Sequence, residues 1–397
     1  MRPVHRMPLR LFRSSHSPVL RGRAPESAGP APATGMPVRH SPPRARKRSP
    51  GAQTVRSSRR LRVVSAASAT ILATGILAGC GAAASGGGGG SKTVTIALPV
   101  AEPVQSPVYL ASKLGYFKQA GINAHVVVLA SDTAADAAMI AGSVQYTSVN
   151  AVALLHAAGK GVPVQNFCTE YNGPAWALVV SPSALNRTHV TSGMPIKQLF
   201  TALHGLNVAI VGTSASAPGL MLTGLLKQEG LPANWVNLIG VSASSALSTA
   251  YQHGEVDAVF DTQPTPDELS QRISGKVVFN TTQLAALRQV PWEGLVGTKD
   301  YLKSNAATNK AVCKAIGRAD NYLLNNPAGA VSTLSGTFPH LSTTLLGEAV
   351  RSYGWAPNGR MTAAQWTAAG NVLSQFGLIK RPQPATLAGA FTTSYLP

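Results

Sequence analysis

Charged residues are scarce along most of this chain, and acidic residues are almost missing from its beginning. Residues 1–62 contain 15 of the 34 lysines and arginines and a single acid, Glu26, so this segment alone carries a net charge of +14. The rest of the chain carries only +5 of the total +19. A nucleic-acid-binding surface needs basic residues gathered on a folded face. Here they lie in a Pro-, Arg- and Ser-rich leader that is typical of disorder. The sequence therefore predicts no nucleic-acid partner.

Common catalytic signatures are also missing. The chain has no Gly-x-Ser-x-Gly elbow and no His-Glu-x-x-His motif, and its histidines are scattered. Its three cysteines lack metal-ligand spacing. We therefore expect no enzyme, no cofactor and no bound metal. Outside the cytoplasm Cys168 and Cys313 could form a disulfide, and two separate buried thiols are the alternative.

The apolar stretch before Cys80 is shorter than the roughly 20 apolar residues of a spanning helix, and Ser, Thr and Gly interrupt it. The basic "RRLR" at 59–62, followed by "VVSAASATILATGILAG", has the order of a secretory signal. The "LAGC" ending at Cys80 resembles the bacterial lipobox, which implies that Cys80 becomes the first mature residue and carries a lipid anchor. The glycine run after it suits a tether; an uncleaved signal anchor is the alternative.

These features divide the sequence into six segments. We predict a disordered basic extension at 1–58, a lipoprotein signal peptide at 59–79, and lipidated Cys80 with its tether at 80–92. A translation start that was assigned too far upstream would also explain the basic extension. The first part of one lobe follows at 93–182 and a second lobe at 183–289. Residues 290–397 return to the first lobe and add C-terminal helices.

Strand and helix patterns alternate from residue 93 onward. Val94, Ile96 and Leu98 fall on one face of a short strand, and "PVYLASKLGYFKQAG" reads as one helix. "DTAADAAMIAG" reads as a helix that Asp132 opens as its N-cap. The alternation restarts after residue 184, and the sequence from about residue 304 is mainly helical. Short connections between strands and helices predict parallel α/β sheets. Two such stretches predict two lobes with a cleft between them.

The order of five motifs resembles the substrate-binding proteins of ABC importers, in the group that binds nitrate, sulfonates, taurine or thiamine-pyrimidine precursors (THI5-like). They are the opening "TVTIALPVAEPVQSPVYLASKLGYFKQAGINAHVVVL", "GSVQYTSVNAVALLHAAGKGVPV", "LHGLNVAIVG" with "GLMLTGLLKQEGL", "GEVDAVFDTQP", and the tail "YLKSNAATNKAVCKAIGRADNYLLNNPAGAV" with "LSQFGLIKRP". The opening motif rests on Pro107, Leu110, Ala111, Gly115, Tyr116, Phe117, Gly121 and Ile122. The resemblance covers about residues 93–396. It implies a two-lobed periplasmic-binding-protein fold (type II), with two α/β lobes, a hinge and a helical C-terminal tail. The lobes would close on a small ligand by hinge motion and deliver it to a permease driven by an ATPase.

Candidate ligand-binding residues follow from the position of the strand ends. Ligands of open α/β sheets bind beyond the carboxyl ends of the strands, and this rule selects the loops that follow them. The selected residues are Pro99, Val100, Gln105, Ser106, Ser148, Val149, Asn150, Tyr171, Asn172, Trp176, Thr213, Ser214, Ser216, Asp261, Gln263 and Trp292.

Several of these residues have two interpretations. The hydroxyls at 213–216 lie before a helix and favour an oxyanion, or they only cap that helix. Asp261 either contacts the ligand or forms a structural turn. Trp292 either stacks on a planar ligand or belongs to the core. Glu170 would repel a sulfonate near the cleft but could pair with an aminopyrimidine, and it has no role if it points to solvent.

The sequence thus predicts a monomeric, exported solute-binding protein anchored by lipid to the outer face of the cell membrane. We expect a small organic solute or an oxyanion similar to a sulfonate, taurine or nitrate as its ligand, ahead of a thiamine-pyrimidine precursor or another heterocycle. A lipid-anchored sensor and a THI5-like enzyme remain the alternatives from other functional classes.

Overall fold

The computed structural model describes residues 91–397. The predicted N-terminal extension, the signal peptide, Cys80 and nearly all of the tether lie outside the described residues. Within the described range, no helix is both long enough and apolar enough to cross a membrane.

The described chain is built from eleven strands and fifteen α-helices. The strands are β1 Lys92–Leu98, β2 Ile122–Val128, β3 Tyr146–Asn150, β4 Val164–Asn172, β5 Trp176–Val180, β6 Asn207–Val211, β7 Asn237–Val241, β8 Ala258–Thr262, β9 Lys276–Asn280, β10 Pro291–Thr298 and β11 Gly354–Trp355. The helices are α1 Ser106–Lys113, α2 Tyr116–Gln119, α3 Asp132–Ile140, α4 Ala151–Gly159, α5 Pro182–Thr188, α6 Ile196–Ala202, α7 Ala217–Gln228, α8 Ser244–Gln252, α9 Thr265–Ile273, α10 Lys299–Ser304, α11 Ala306–Asn325, α12 Pro327–Leu334, α13 Thr343–Ser352, α14 Ala363–Gln375 and α15 Pro384–Gly389.

Two sheets form the centres of two lobes, which confirms the predicted two-lobed α/β fold. The first sheet has the order β11-β4-β10-β3-β1-β2 and the second β7-β6-β8-β5-β9. Both sheets are mixed, so the prediction of parallel sheets holds only for part of each. β1 pairs in parallel with β2 and β3, whereas β10 runs antiparallel to β3 and β4. The reason is that β10 brings the chain back from the second lobe and enters the first sheet in the opposite direction.

The chain passes between the two sheets twice. β4 ends in the first sheet at Asn172, and β5 begins in the second sheet at Trp176, so the first crossing lies at 173–175. This is earlier than the predicted boundary after residue 182, because the apolar pattern of β5 does not reveal which sheet the strand joins. The chain returns with Pro291 at the start of β10, one residue after the predicted boundary.

One threonine ties the two crossings together. The backbone N–H of Trp176 donates to Thr281 Oγ1 at 3.0 Å, and the same hydroxyl donates to the carbonyl of Pro174 at 2.7 Å. Thr281 is fully buried. Hydrogen bonds between the two crossing segments therefore hold the hinge, in addition to packing.

Two local predictions need correction. The single helix predicted from residue 107 is two helices, α1 and α2, because Gly115 between them has a φ of +69°. A left-handed residue ends a regular helix, and glycine takes this conformation without a steric cost. The N-cap of α3 is Ser131, whose Oγ accepts from the N–H of Ala134 at 3.2 Å, and Asp132 is the first helical residue. The predicted buried face of β1, by contrast, is confirmed.

The two cysteines in the described range form a disulfide. Cys168 on β4 is bonded to Cys313 on α11, with Cα atoms 5.4 Å apart and both side chains fully buried. The sequence left open a disulfide or two separate buried thiols, and the structure contains the disulfide. The bond fixes the long helix α11 against the first sheet.

Candidate functional site

A cleft of about 420 Å³ lies between the lobes, at the edge where strands of both sheets end. This volume is at the lower end of the roughly 300–1,000 Å³ that small-molecule sites occupy. The first sheet contributes the residues after β1 and the ends of β3 and β4. The second sheet contributes the ends of β6, β7 and β8. The cleft therefore lies at the edge that the strand-end rule selects.

Nine of the sixteen predicted residues line this cleft. They are Pro99, Val100, Gln105, Asn150, Tyr171, Trp176, Ser216, Asp261 and Trp292. The other seven do not line it, and they are Ser106, Ser148, Val149, Asn172, Thr213, Ser214 and Gln263. The strand-end rule places a loop near the ligand but does not say where each side chain points.

Individual contacts explain several of these exclusions. Ser106 Oγ donates to the carbonyl of Pro103 at 2.5 Å. Ser148 and Val149 are buried inside β3, before its end. Asn172 borders a different hollow, on Arg288 and Gly354. Ser106 is thus hydrogen-bonded to the backbone, whereas Ser148, Val149 and Asn172 are placed away from the cleft by their positions in the first sheet.

Acidic side chains are the main feature that the sequence prediction missed. Glu102, Asp132 and Glu293 line the cleft together with Asp261. Among the lining residues of the described chain there is no lysine, arginine or histidine. A signal was available for Glu102 and Asp132, since both follow strand ends, whereas Glu293 lies on β10, a strand that the sequence pattern did not reveal.

Burial raises the pKa of each of these carboxyl groups. The pKa of Glu102 is raised by burial and by the nearby charge of Asp261, although Glu102 keeps part of its surface in the water of the cleft. Asp261 is nearly fully buried, and this raises its pKa despite opposing hydrogen bonds. The pKa of Glu293 lies well above its usual value because of burial and then the charge of Glu170. The cleft thus holds protons more tightly than exposed carboxyls would.

Glu170 itself does not reach the cleft. Its side chain on β4 is 0% exposed, and neither carboxylate oxygen has a partner at ordinary hydrogen-bond geometry in the described chain, although the nearby Ser148 hydroxyl partly opposes the rise of its pKa. Burial raises its pKa to about 8. Both interpretations considered from the sequence, a contact with the ligand and a solvent-exposed side chain, are therefore replaced by a carboxyl group enclosed in the first lobe.

Besides α1, whose N-cap Gln105 lines the cleft and which continues from a 3-10 turn at Pro103–Gln105, four helices begin at the cleft. The first residues or N-caps of α3, α4, α7 and α8 are among its lining residues. Asn150 caps α4, since its Oδ1 accepts from the N–H of Ala153 at 3.0 Å. Ser216 at the start of α7 does not cap that helix, because its Oγ lies 2.7 Å from the carbonyl of Thr213 and 3.0 Å from that of Val211. The free N–H groups of a helix start attract negative charge, with about half an elementary charge per helix.

Three aromatic side chains line the cleft next to the crossings between the lobes. Trp176 and Trp292 meet edge to face with ring centroids 5.1 Å apart, at the two points where the chain crosses between lobes. Both are more than 90% buried, and Tyr171 packs beside them on Tyr353. The rings therefore act mainly as core and offer only part of their surface to a bound molecule.

Two buried oxygens that face the cleft lack partners. Gln105 is 1% exposed and Asp261 5% exposed, and neither Gln105 Oε1 nor Asp261 Oδ2 has a hydrogen-bond partner in the described chain. Buried polar atoms are nearly always hydrogen-bonded. These two acceptors therefore need donors that the protein does not supply.

Two other hollows have similar or larger volumes. One of about 450 Å³ lies between α14 and α15, and one of about 510 Å³ lies behind the first crossing. Neither is lined by a carboxyl group with a raised pKa. We assign the site to the interlobe cleft because it combines both lobes, buried acids and unpaired acceptors. Residues 91–397 contain no group of three or more His, Cys, Asp or Glu side chains that could hold a metal ion.

This architecture defines the class of protein as the two-lobed periplasmic-binding-protein fold. Residues 102–330 match the family model described as NMT1/THI5 like, which is more than half of the sequence. The chain belongs to the NMT1/THI5-like family, as its sequence motifs suggested. No curated protein matches the sequence.

Solved structures from several organisms share the fold. A protein of Bordetella bronchiseptica RB50 is 22% identical to this chain, with a TM-score of 0.63. The match covers 76% of this chain and 95% of the Bordetella chain. The alkanesulfonate-binding protein SsuA of Xanthomonas axonopodis pv. citri, bound to MOPS, is 18% identical with a TM-score of 0.58, covering 76% and 98%. The nitrate-binding protein NrtA of Synechocystis PCC 6803 is 15% identical with a TM-score of 0.60, covering 77% and 87%. At these identities the similarity shows the fold and does not identify a ligand.

Proposed function

We propose that this chain is an extracytoplasmic solute-binding protein that captures a small solute in its interlobe cleft and delivers it to an ABC permease with its ATPase. The observation that carries this proposal is the cleft of about 420 Å³ between two lobes joined by two crossings. Hinged lobes of this kind close around small ligands. Sulfonate- and nitrate-binding proteins share the fold, which supports a binding role over an enzymatic one.

The chemistry of the cleft favours a heterocycle that donates hydrogen bonds over an oxyanion. An oxyanion would find four helix starts but also Glu102, Asp132, Asp261 and Glu293, with no basic side chain among the lining residues of the described chain. A helix start contributes about half a charge, whereas an ionised carboxyl contributes a full one. We therefore place a hydrogen-bond-donating solute, such as an amino-substituted heterocycle, ahead of an oxyanion.

A thermal-shift screen of the purified protein tests this function. The panel contains alkyl sulfonates, taurine, nitrate, aminopyrimidines and riboflavin, each at several concentrations. A ligand that binds only the folded state stabilises it by RT ln(1 + L/Kd), where L is the ligand concentration, so the melting temperature must rise with the logarithm of that concentration above Kd. A shift with this dependence on concentration for any member supports solute capture. If no member binds and the protein isolated from its own cells carries no small molecule by native mass spectrometry, the sensor alternative is favoured instead.

Attachment to the outer face of the membrane is a further part of the proposal. Cys80 lies outside the described residues, so this part rests on the sequence "LAGC" and the glycine-rich segment after it. Replacing Cys80 with Ala is expected to release the protein into the medium or leave it unprocessed, as judged by cell fractionation. A band that still incorporates labelled fatty acid in the variant would contradict lipidation at Cys80.

A further inference from the structure

Two carboxyl groups from opposite lobes line the same cleft, close enough for the charge of one to act on the other. Glu102 belongs to the segment that follows β1 in the first lobe, and Asp261 lies on β8 in the second. The charge of Asp261 acts on Glu102, and the Ser244 hydroxyl at the start of α8 lies close to both. This pair is formed only when the two lobes meet.

Nothing in the described chain neutralises this pair. The titratable side chains that line the cleft or act on the pair are Glu102, Asp132, Tyr171, Asp261, Glu293 and Tyr353. Each is negatively charged or neutral in any protonation state. The Tyr353 hydroxyl does not donate to the pair, because it donates to the carbonyl of Gln263 at 2.7 Å. Lobe closure therefore brings like charges together unless a proton or another cation is present.

The unpaired acceptors indicate which kind of cation fits. Asp261 Oδ2 and Gln105 Oε1 belong to residues that line the cleft, are buried, and have no hydrogen-bond partner within residues 91–397. A positively charged group that carries N–H bonds would supply both the charge and the donors. Charge-assisted hydrogen bonds of this kind are about twice as strong as neutral ones.

We propose that the solute carries an ammonium or amidinium group, and that this group binds between Glu102 and Asp261 and draws the two lobes together. This inference rests on the proposed solute-binding function and specifies its ligand. The four helix starts remain available for an electron-rich part of the same solute.

Proton exchange follows from this arrangement. The pKa of Glu102 is raised to about 7 and that of Asp261 to about 6, so the empty cleft retains part of these protons near neutral pH. A bound cation favours the ionised form of both carboxyl groups, so its binding releases the protons that they held. Affinity for a cation should therefore increase as the pH rises from 5 to 8, and the number of protons released should be larger at pH 6 than at pH 8.

Matched pairs of small molecules test the charge requirement. Isothermal titration calorimetry is run with benzamidine against benzamide, 2-phenylethylamine against 2-phenylethanol, and taurine against isethionate. Within each pair the size is nearly equal and only the first compound carries the cation. We expect at least one ammonium- or amidinium-bearing member to bind, and its partner without that group to bind roughly tenfold or more weakly, because the cation is lost from a buried pair. Titrations at pH 6 in two buffers of different ionisation enthalpy count the protons released.

Three variants localise the effect. Asp261→Asn and Glu102→Gln should each reduce the preference for the cation roughly tenfold or more and lower the proton release. Glu255→Gln removes the same charge from an exposed position of the second lobe outside the cleft and should change neither value. Circular dichroism and the melting temperature verify that each variant is folded, and titration of a folded Asp261→Asn protein decides the test.

The outcomes separate this inference from the proposed function. Tighter binding of isethionate than of taurine, or of any neutral partner than of its cation, overturns the cation site while supporting solute capture. An unchanged preference in both cleft variants also overturns it. Failure of benzamidine, 2-phenylethylamine and taurine to bind overturns it as well, and solute capture is then judged by native mass spectrometry of the protein from its own cells.

Discussion

Glu170→Gln should remove a defined part of the pH dependence of stability. Glu170 is enclosed in the first lobe with no partner on either oxygen, and it raises the pKa of Asp320 and Glu293 through its charge. Glutamine has the shape of the protonated acid but cannot ionise. The substitution therefore isolates the cost of burying this one charge.

The magnitude follows from the change in pKa. Burial raises the pKa of Glu170 from 4.5 to about 8, so between these values the folded chain holds a proton that the unfolded chain has lost. Its contribution to stability is fully present below pH 4.5 and is lost as the pH rises toward 8. At about 1.4 kcal/mol per pH unit, the loss amounts to roughly 4 kcal/mol at pH 8. The Glu170→Gln protein should be spared this loss.

Urea unfolding followed by tryptophan fluorescence measures the effect. The free energy of unfolding of wild type and Glu170→Gln is determined at several pH values from 4.5 to 8.5. The difference between the two should increase with pH in favour of the variant by about 4 kcal/mol. Glu255→Gln, an exposed carboxyl, should follow the wild-type curve. A Glu170→Gln curve with the wild-type slope would refute the account, because the group would then ionise as easily in the folded chain as in the unfolded one.

Two further substitutions test the hinge and the close contact between α7 of the second lobe and the end of α14. Thr281→Val should cost about 1–3 kcal/mol in urea unfolding, because the N–H of Trp176 and the carbonyl of Pro174 lose their buried partner. Gly224→Ala should cost roughly 1–3 kcal/mol or more, because the new Cβ would lie 1.9 Å from the carbonyl oxygen of Phe376 and force α7 away from the end of α14.

Matched substitutions control both experiments. Thr282→Val removes a neighbouring hydroxyl that makes no hydrogen bond within the described residues, and it should leave stability nearly unchanged. Gly336→Ala adds a methyl group where nothing lies within 4 Å, and it should do the same. Equal losses in Thr281→Val and Thr282→Val would show that the tie between the crossings does not stabilise the hinge.

The sequence by itself determined the elements and the family. Apolar periodicity is a local property, and it gave β1 with its buried Val94, Ile96 and Leu98, as well as most of the later strands and helices. The motifs from 102 to 330 are local as well, and they suffice for the family. The loops that follow strands were also visible, which is why nine predicted residues line the cleft.

Tertiary structure decided which of these elements meet. β5 reads like any apolar strand, and only its pairing with β8 and β9 assigns it to the second lobe. β10 was not visible in the pattern, because nearly all of it is buried and no alternation remains. The disulfide required the approach of β4 and α11.

The charge of the site was also decided in three dimensions. Glu102 and Asp261 are far apart in the sequence, and each taken alone reads as an ordinary loop or strand-end acid. They form a pair because two separately folded lobes bring their strand ends to a common cleft without a basic residue among the described lining. Sequence periodicity reports how one segment faces its own core, whereas the electrostatics of a cleft depend on which segments face each other.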